Sequence, residues 1–150
     1  MRTILVGLLA LVVDMASKSL VAARLALGET IPVIPGFFQI TYVLNPGAAF
    51  GLLPHQRELF IAVSVGAVLL ILYHARRPEG QVGVLPYAMG LMLGGAAGNL
   101  ADRVRLGRVV DFLDFYWRDW HYPVFNLADV SIVLGVGLFL LHHWREGRRG

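Results

Sequence analysis

Four stretches of the chain are almost continuously apolar, at residues 3–27, 59–73, 82–100 and 128–144. An α-helix rises 1.5 Å per residue, so roughly 20 apolar residues cross about 30 Å of hydrocarbon. Each run comes near that length, and the pattern predicts four membrane-spanning helices. The runs at 59–73 and 128–144 are short, which points to frayed ends or a locally thin bilayer. Between the first two runs the pattern changes. Residues 37–44 (FFQITYVL) are β-branched and aromatic and end at the turn Asn45-Pro46-Gly47, so a small β region is expected at about 31–53, at one membrane face. Residues 48–51 (AAFG) carry little side-chain bulk and would let an extended peptide come close. Residues 112–120 (FLDFYWRDW) mix aromatic and charged residues and read as an interfacial segment, with Phe115, Tyr116, Trp117 and Trp120 at headgroup level.

Composition strengthens the membrane reading. The 150 residues are 57% hydrophobic and only 15% charged, against roughly a quarter charged in soluble domains. Mean hydropathy is +0.64. The expected class is an all-α membrane protein: one integral domain spanning 1–150, with four transmembrane helices and a small extracytoplasmic β element. Met1-Arg2-Thr3 followed by an apolar run has the look of a secretory signal, but Asp14 and Lys18 interrupt the run and more membrane segments follow it. The basic residues are twelve Arg and one Lys, with no run dense enough for nucleic acid. Arg2, Arg76, Arg77, Arg145, Arg148 and Arg149 fall at the end that holds both termini, whereas the 28–58 loop has only Arg57, so both termini are expected to be cytoplasmic. Arg103, Arg105, Arg108 and Arg118 depart from that rule, but Asp102, Asp111, Asp114 and Asp119 are interleaved with them.

Candidate chemistry gathers between residues 94 and 129. The tetrapeptide NLAD occurs twice, as Asn99 to Asp102 and as Asn126 to Asp129, and Asp111 sits between the copies in the apolar run VVDFL. Polar groups at the edge of hydrocarbon are costly and usually functional. In a helix, positions three apart share a face, so an antiparallel pairing of the third and fourth helices would gather both tetrapeptides in one pocket near the outer surface. Asp102 is followed by Arg103 and Arg105 and reads as an ionised brace. Asp111 and Asp129 lack an adjacent cation, and burial would raise their pKa and let them share one proton, the arrangement an aspartic protease requires. Asp14 and Lys18 stand four apart, able to pair on one face of the first helix; a structural lock and a direct binding role both remain open for them. Asn45 is either a turn-former or an amide that contacts a ligand's backbone. Gly94 to Gly98 (GGAAG) reads as close helix packing. The absence of Cys excludes disulfides, thiolate catalysis and Cys-ligated metal, the five His fit no metal-ligand spacing, and no cofactor is called for. Two other classes fit the same buried polar groups: a proton-coupled membrane transporter, and a non-catalytic assembly factor. Neither inverted-repeat symmetry nor a second pair of broken helices favours the transporter.

The blocks NPGAAFG at Asn45, GNLADR at Gly98, GRVVDF at Gly107 and FNLADV at Phe125, with Asp14 and Lys18 upstream, resemble the successive signatures of bacterial lipoprotein signal peptidase (signal peptidase II), in family order across nearly the whole chain. The resemblance implies an aspartic endopeptidase of the bacterial inner membrane that removes signal peptides from prolipoproteins, cutting before a cysteine that carries a diacylglyceryl thioether. It implies Asp111 and Asp129 as the catalytic pair. Asn45, Asn99, Asp102, Arg103 and Asn126 would line or brace the site, and Asp14 and Lys18 would support it. Partners would be diacylglyceryl-modified prolipoproteins and membrane lipids, and the enzyme a monomer without metal or cofactor. A β cradle and an interfacial amphipathic helix outside the bundle are also implied, the helix falling at 112–120. Met15 and Pro46 depart from residues common in the family, Gln and Thr, and bear on fine substrate contacts only.

Overall fold

In the computed structural model, which describes residues 1–47 and 56–148, four long helices carry a four-stranded sheet at one end. The helices are α1 (Arg2–Arg24), α2 (Arg57–Ala75), α3 (Leu85–Leu106) and α4 (Leu127–Gly147). Three of them, α1, α2 and α4, are long and apolar enough to cross a membrane. The expected 48–51 approach segment and the end of the 31–53 β region lie outside the described residues.

α3 is the hub against which α1, α2 and α4 all pack, and its sequence explains why. It is rich in glycine, and a Cβ at Gly94 would collide with the Gly7 carbonyl and with Ala10 of α1, one at Gly95 with the Ala128 carbonyl of α4, and one at Gly98 with the Asp14 carboxylate. Small residues let backbones approach closely where no hydrophobic force separates protein from lipid. The contacts also set direction. Gly90 lies against Thr3 and Val6, and Gly94 against Gly7, so α1 and α3 run parallel, whereas Gly95 meets Ala128 and Gly135 meets Ala88, so α4 is antiparallel to them.

α3 begins later than the 82–100 expectation, with Pro86 in its first turn, and runs on to Leu106. The polar residues after Leu100 mark a change of surroundings and do not break the helix. The break comes at Gly107, whose left-handed φ of 71° closes the last turn through its N–H to the Arg103 carbonyl. Arg57, at the start of α2, donates to the same Arg103 carbonyl (3.0 Å) and to the Val104 carbonyl (2.9 Å), which satisfies one more of that helix end.

The strands β1 (Thr30–Ile34), β2 (Phe38–Asn45), β3 (Val109–Trp117) and β4 (Trp120–His121) pair antiparallel in that order. β2 matches the strand read at 37–44. Residues 112–120 are not an interfacial helix: they form most of β3 and its hairpin to β4. The stretch is rich in β-favouring aromatic residues, and its first part pairs with β2, Leu113 with Ile40, Asp114 with Gln39 and Phe115 with Phe38.

The helix packing makes a direct prediction. Gly94→Ala and Gly98→Ala should each destabilise by about 1–3 kcal/mol, the usual range for forcing atoms into a filled contact, and Gly137→Ala, which has nothing within 4 Å, should be neutral or slightly stabilising. Thermal unfolding in one detergent reads all three.

Candidate active site

Where α1, α3 and α4 meet the sheet, they close around one ammonium. Lys18 Nζ lies 2.8 Å from Asp14 Oδ2, 3.0 Å from Asp102 Oδ2 and 3.0 Å from Asn99 Oδ1. An ammonium has three donors, and each finds an acceptor. The Asp14 side chain is wholly buried, and its other oxygen accepts from the Ala128 N–H (2.8 Å) in the first turn of α4, where the helix dipole favours a negative charge. Asp102 accepts from the Val110 N–H (3.1 Å), which fixes the start of β3.

The expected pairing of Asp102 with Arg103 and Arg105 is therefore corrected, because among the described residues its cation is Lys18. Consecutive helical residues do not face one another. Asp102 points at α1, and Arg103 points elsewhere, reaching the Asn99 and Gly47 carbonyls (3.4 Å each) with its guanidinium 5.1 Å from the Phe60 ring centroid.

From Lys18 the hydrogen bonds run outward through amides. Asn99 accepts from Lys18 on Oδ1 and donates through Nδ2 to Asp129 Oδ1 (2.8 Å). Asn126 is not a helical residue sharing a face with Asp129, as the three-residue spacing suggested, but the N-cap of α4. Its Oδ1 accepts from the Asp129 N–H (2.9 Å), and Asp129 Oδ2 accepts from the Asn126 N–H (3.2 Å), a reciprocal capping box. Asn126 Nδ2 donates to Asp111 Oδ1 (2.7 Å), and Asn45 Nδ2 donates to Asp111 Oδ2 (2.9 Å). Asn45 is a turn-former as well: its Oδ1 accepts from the Gly47 N–H (2.9 Å) and shapes the turn.

Asp111 and Asp129 both line a cavity of about 700 Å³, together with Asn45, Asn99 and Arg103. Asp14, Lys18, Asp102 and Asn126 stand behind these residues. Asp111 is 3% exposed. Burial is the main force on its carboxyl and pushes the pKa up to about 7; the hydrogen bond from Asn45 opposes this and the neighbouring Asp129 charge adds to it. One face of the cavity comes from Trp120, Tyr122, Pro123, Val124 and Phe125. Sequence reading placed Trp120 at the headgroups and missed this wall, although its position directly before Asn126 was a usable signal.

The signature of the family described as Signal peptidase (SPase) II matches residues 6–145. The chain belongs to the signal peptidase II family. It is 51% identical over 150 residues to the lipoprotein signal peptidase of Symbiobacterium thermophilum, covering all of this chain and 99% of that one. It is 54% identical over 130 residues to that of Pelotomaculum thermopropionicum, covering 85% and 82%. A bacterial membrane enzyme solved by the in meso method at 2.3 Å resolution superposes with a TM-score of 0.89 at 31% identity, over 97% of this chain and 88% of the other. Membership makes the chain a peptidase and an integral membrane protein and removes the transporter and assembly-factor readings.

The ammonium node carries its own prediction. Lys18→Met leaves Asp14 and Asp102 buried without their cation, and breaking a buried ion pair from one side costs about 3–5 kcal/mol. A large fall in thermal midpoint is expected, with Lys18→Met/Asp102→Asn recovering part of it.

Proposed function

We propose that the chain is an intramembrane aspartic endopeptidase that cleaves the signal peptide from prolipoproteins on the N-terminal side of a diacylglyceryl-modified cysteine. The observation that carries the reading is the pair Asp111 and Asp129, two carboxylates lining one cavity and tied to the same residue, Asn126. The names of the relatives, lipoprotein signal peptidases, support the choice of substrate.

The neutral carboxyl is Asp111, since burial lifts it to about 7. Its O–H hydrogen-bonds the scissile carbonyl oxygen, while the Asp129 carboxylate takes a proton from a water molecule as that water attacks the carbon. A tetrahedral diol forms. Proton return to the leaving amide nitrogen breaks the C–N bond and yields a new carboxyl end and a free cysteine amine, so no metal or cofactor is needed. Asn45, Asn99 and Asn126 hold both carboxyls in place, Arg103 fixes the turn at Gly47, and Lys18 with Asp14 and Asp102 locks the helices behind them. The protein lies in the bacterial inner membrane as a monomer, with all four helices spanning it, both termini cytoplasmic and the cavity near the extracytoplasmic face. A membrane-embedded substrate with a lipid attached must enter sideways, and its unwound backbone near the cut needs polar partners that only protein or water can supply.

Asp111→Asn and Asp129→Asn should each reduce cleavage of a lipidated prolipoprotein by the purified enzyme at least about a thousandfold, in the range that loss of an essential proton-transfer group produces, with unfolding temperatures near wild type. Substantial turnover by either variant would overturn the assignment. pH gives a second reading. Asp111 must be protonated to act, so kcat/KM should fall as pH rises through about 7. Because the folded protein keeps a proton there that the unfolded chain releases near pH 4, the same burial stabilises most at low pH, and that contribution is lost as pH rises to about 7.

A further inference from the structure

Asp114 is a buried carboxylate that the proposed chemistry does not use. It lies on β3, three residues from Asp111, and is 3% exposed. Its two oxygens divide between the neighbouring strands. Oδ2 accepts from Gln39 Nε2 (2.6 Å) and Thr41 Oγ1 (2.8 Å) of β2, and Oδ1 lies 3.1 Å from His121 Nδ1 of β4. Those three donors outweigh burial and hold the carboxyl below its ordinary range, so it is ionised and purely an acceptor, and Nδ1 must carry the proton.

β2 and β3 are long strands joined by their own ladder. β4 has two residues, Trp120 and His121, and the hairpin that reaches it passes through Arg118, a non-glycine residue at φ 54°. Such a backbone position is strained and needs support from its surroundings. From His121 the chain runs on through Tyr122, Pro123, Val124 and Phe125, and with Trp120 these residues form one wall of the cavity before the chain enters the α4 cap at Asn126. Backbone bonds to β3 fix Tyr122 and Phe125. At the outer end, His121 is a side chain that ties the segment down, and it also stacks on Tyr116 with ring centroids 5.3 Å apart. Tyr116 in turn accepts from the Gly36 N–H (2.8 Å) at the β1–β2 turn.

We propose that Asp114 and His121 form a positioning latch that sets the wall Trp120 to Phe125 against the bound substrate, so that the latch governs substrate affinity and leaves the chemical step alone. The inference rests on the reading of the cavity as the substrate site. Two features place the latch in that role. It joins the least supported strand of the sheet to the best supported one, and the segment it holds supplies five of the residues around the cavity. Neither residue lines the cavity, so the effect passes through the wall and not through direct contact. His121 is half exposed, with 51% of its side chain open, and without it the Asp114 carboxylate keeps its two bonds from β2, so the loosened segment can drift without unfolding the protein.

The test uses purified full-length enzyme in detergent or nanodiscs with a lipidated prolipoprotein. His121→Ala should raise KM about five- to tenfold, with kcat within about twofold of wild type, in keeping with one lost hydrogen bond to a charged group. His121→Asn, whose amide N–H can occupy the place of Nδ1, should restore most of the affinity. Asp114→Asn should raise KM to a similar extent, and combining it with His121→Ala should add little, as expected for two partners in one interaction. An unchanged KM in His121→Ala overturns the proposal, as does a parallel loss of kcat and thermal stability without a change in KM, which would make the bond merely structural. Asp111→Asn separates this from the parent reading: if that variant still cuts, the dyad fails whatever His121 does, and if it is inactive while His121→Ala keeps its KM, only the latch fails.

Discussion

The structure depends on a charge that cannot leave. Lys18 is 3% exposed, and an ammonium buried to that degree is tolerable only with every donor satisfied. Its three acceptors come from two helices, and one of them, Asp14, passes the constraint to a third through the Ala128 N–H. One group thus fixes α1, α3 and α4 at the level where the helices give way to the sheet. Sliding any of these helices by a residue would strand a charge, so the node sets register as well as adhesion.

Close packing makes this geometry possible. Gly98 leaves the space that the Asp14 carboxylate occupies, and Gly95 lets the start of α4 lie directly on α3. α3 can afford its glycines and polar residues because the other helices surround it, whereas α1, α2 and α4 carry the apolar faces. The most protein-covered helix is therefore also the one that does not meet the apolarity needed to cross hydrocarbon unaided.

Much of this was legible along the chain. Apolar runs located three helices to within three residues at each end and α3 with its end six residues short, and FFQITYVL before Asn45-Pro46-Gly47 located β2. Isolated polar residues in apolar settings marked Asp14, Lys18, Asn99, Asp111, Asn126 and Asp129, which the structure gathers in one connected network. Three readings failed for specific reasons. Residues 112–120 were read as the interfacial helix that the resemblance implies, although they are rich in β-favouring aromatic residues and their partner, β2, lies more than 60 residues earlier in the sequence. Asp102 was paired with its neighbours in sequence, yet a helix turns adjacent side chains apart and a lysine 84 positions away is its true partner. Asn126 was read as helical because spacing was counted without locating the cap. Each error took a local cue where a distant one decided.

The choice of amides around the two carboxyls follows from the same electrostatics. Two unit charges 4 Å apart interact by about 4 kcal/mol at an effective dielectric of 20, so an ammonium bound directly to Asp111 or Asp129 would hold that group ionised and remove the acid that the proposed mechanism requires. Asn99 stands between Lys18 and Asp129, accepting from the first and donating to the second. It transmits orientation and keeps the ammonium out of direct contact, so that the Lys18 charge opposes the rise of the Asp111 carboxyl without cancelling it. Asn45 and Asn126 do the same for Asp111 with neutral donors. A site built this way keeps its carboxyls within hydrogen-bonding geometry while leaving them free to exchange a proton, and it keeps the helix-locking cation one residue behind the chemistry.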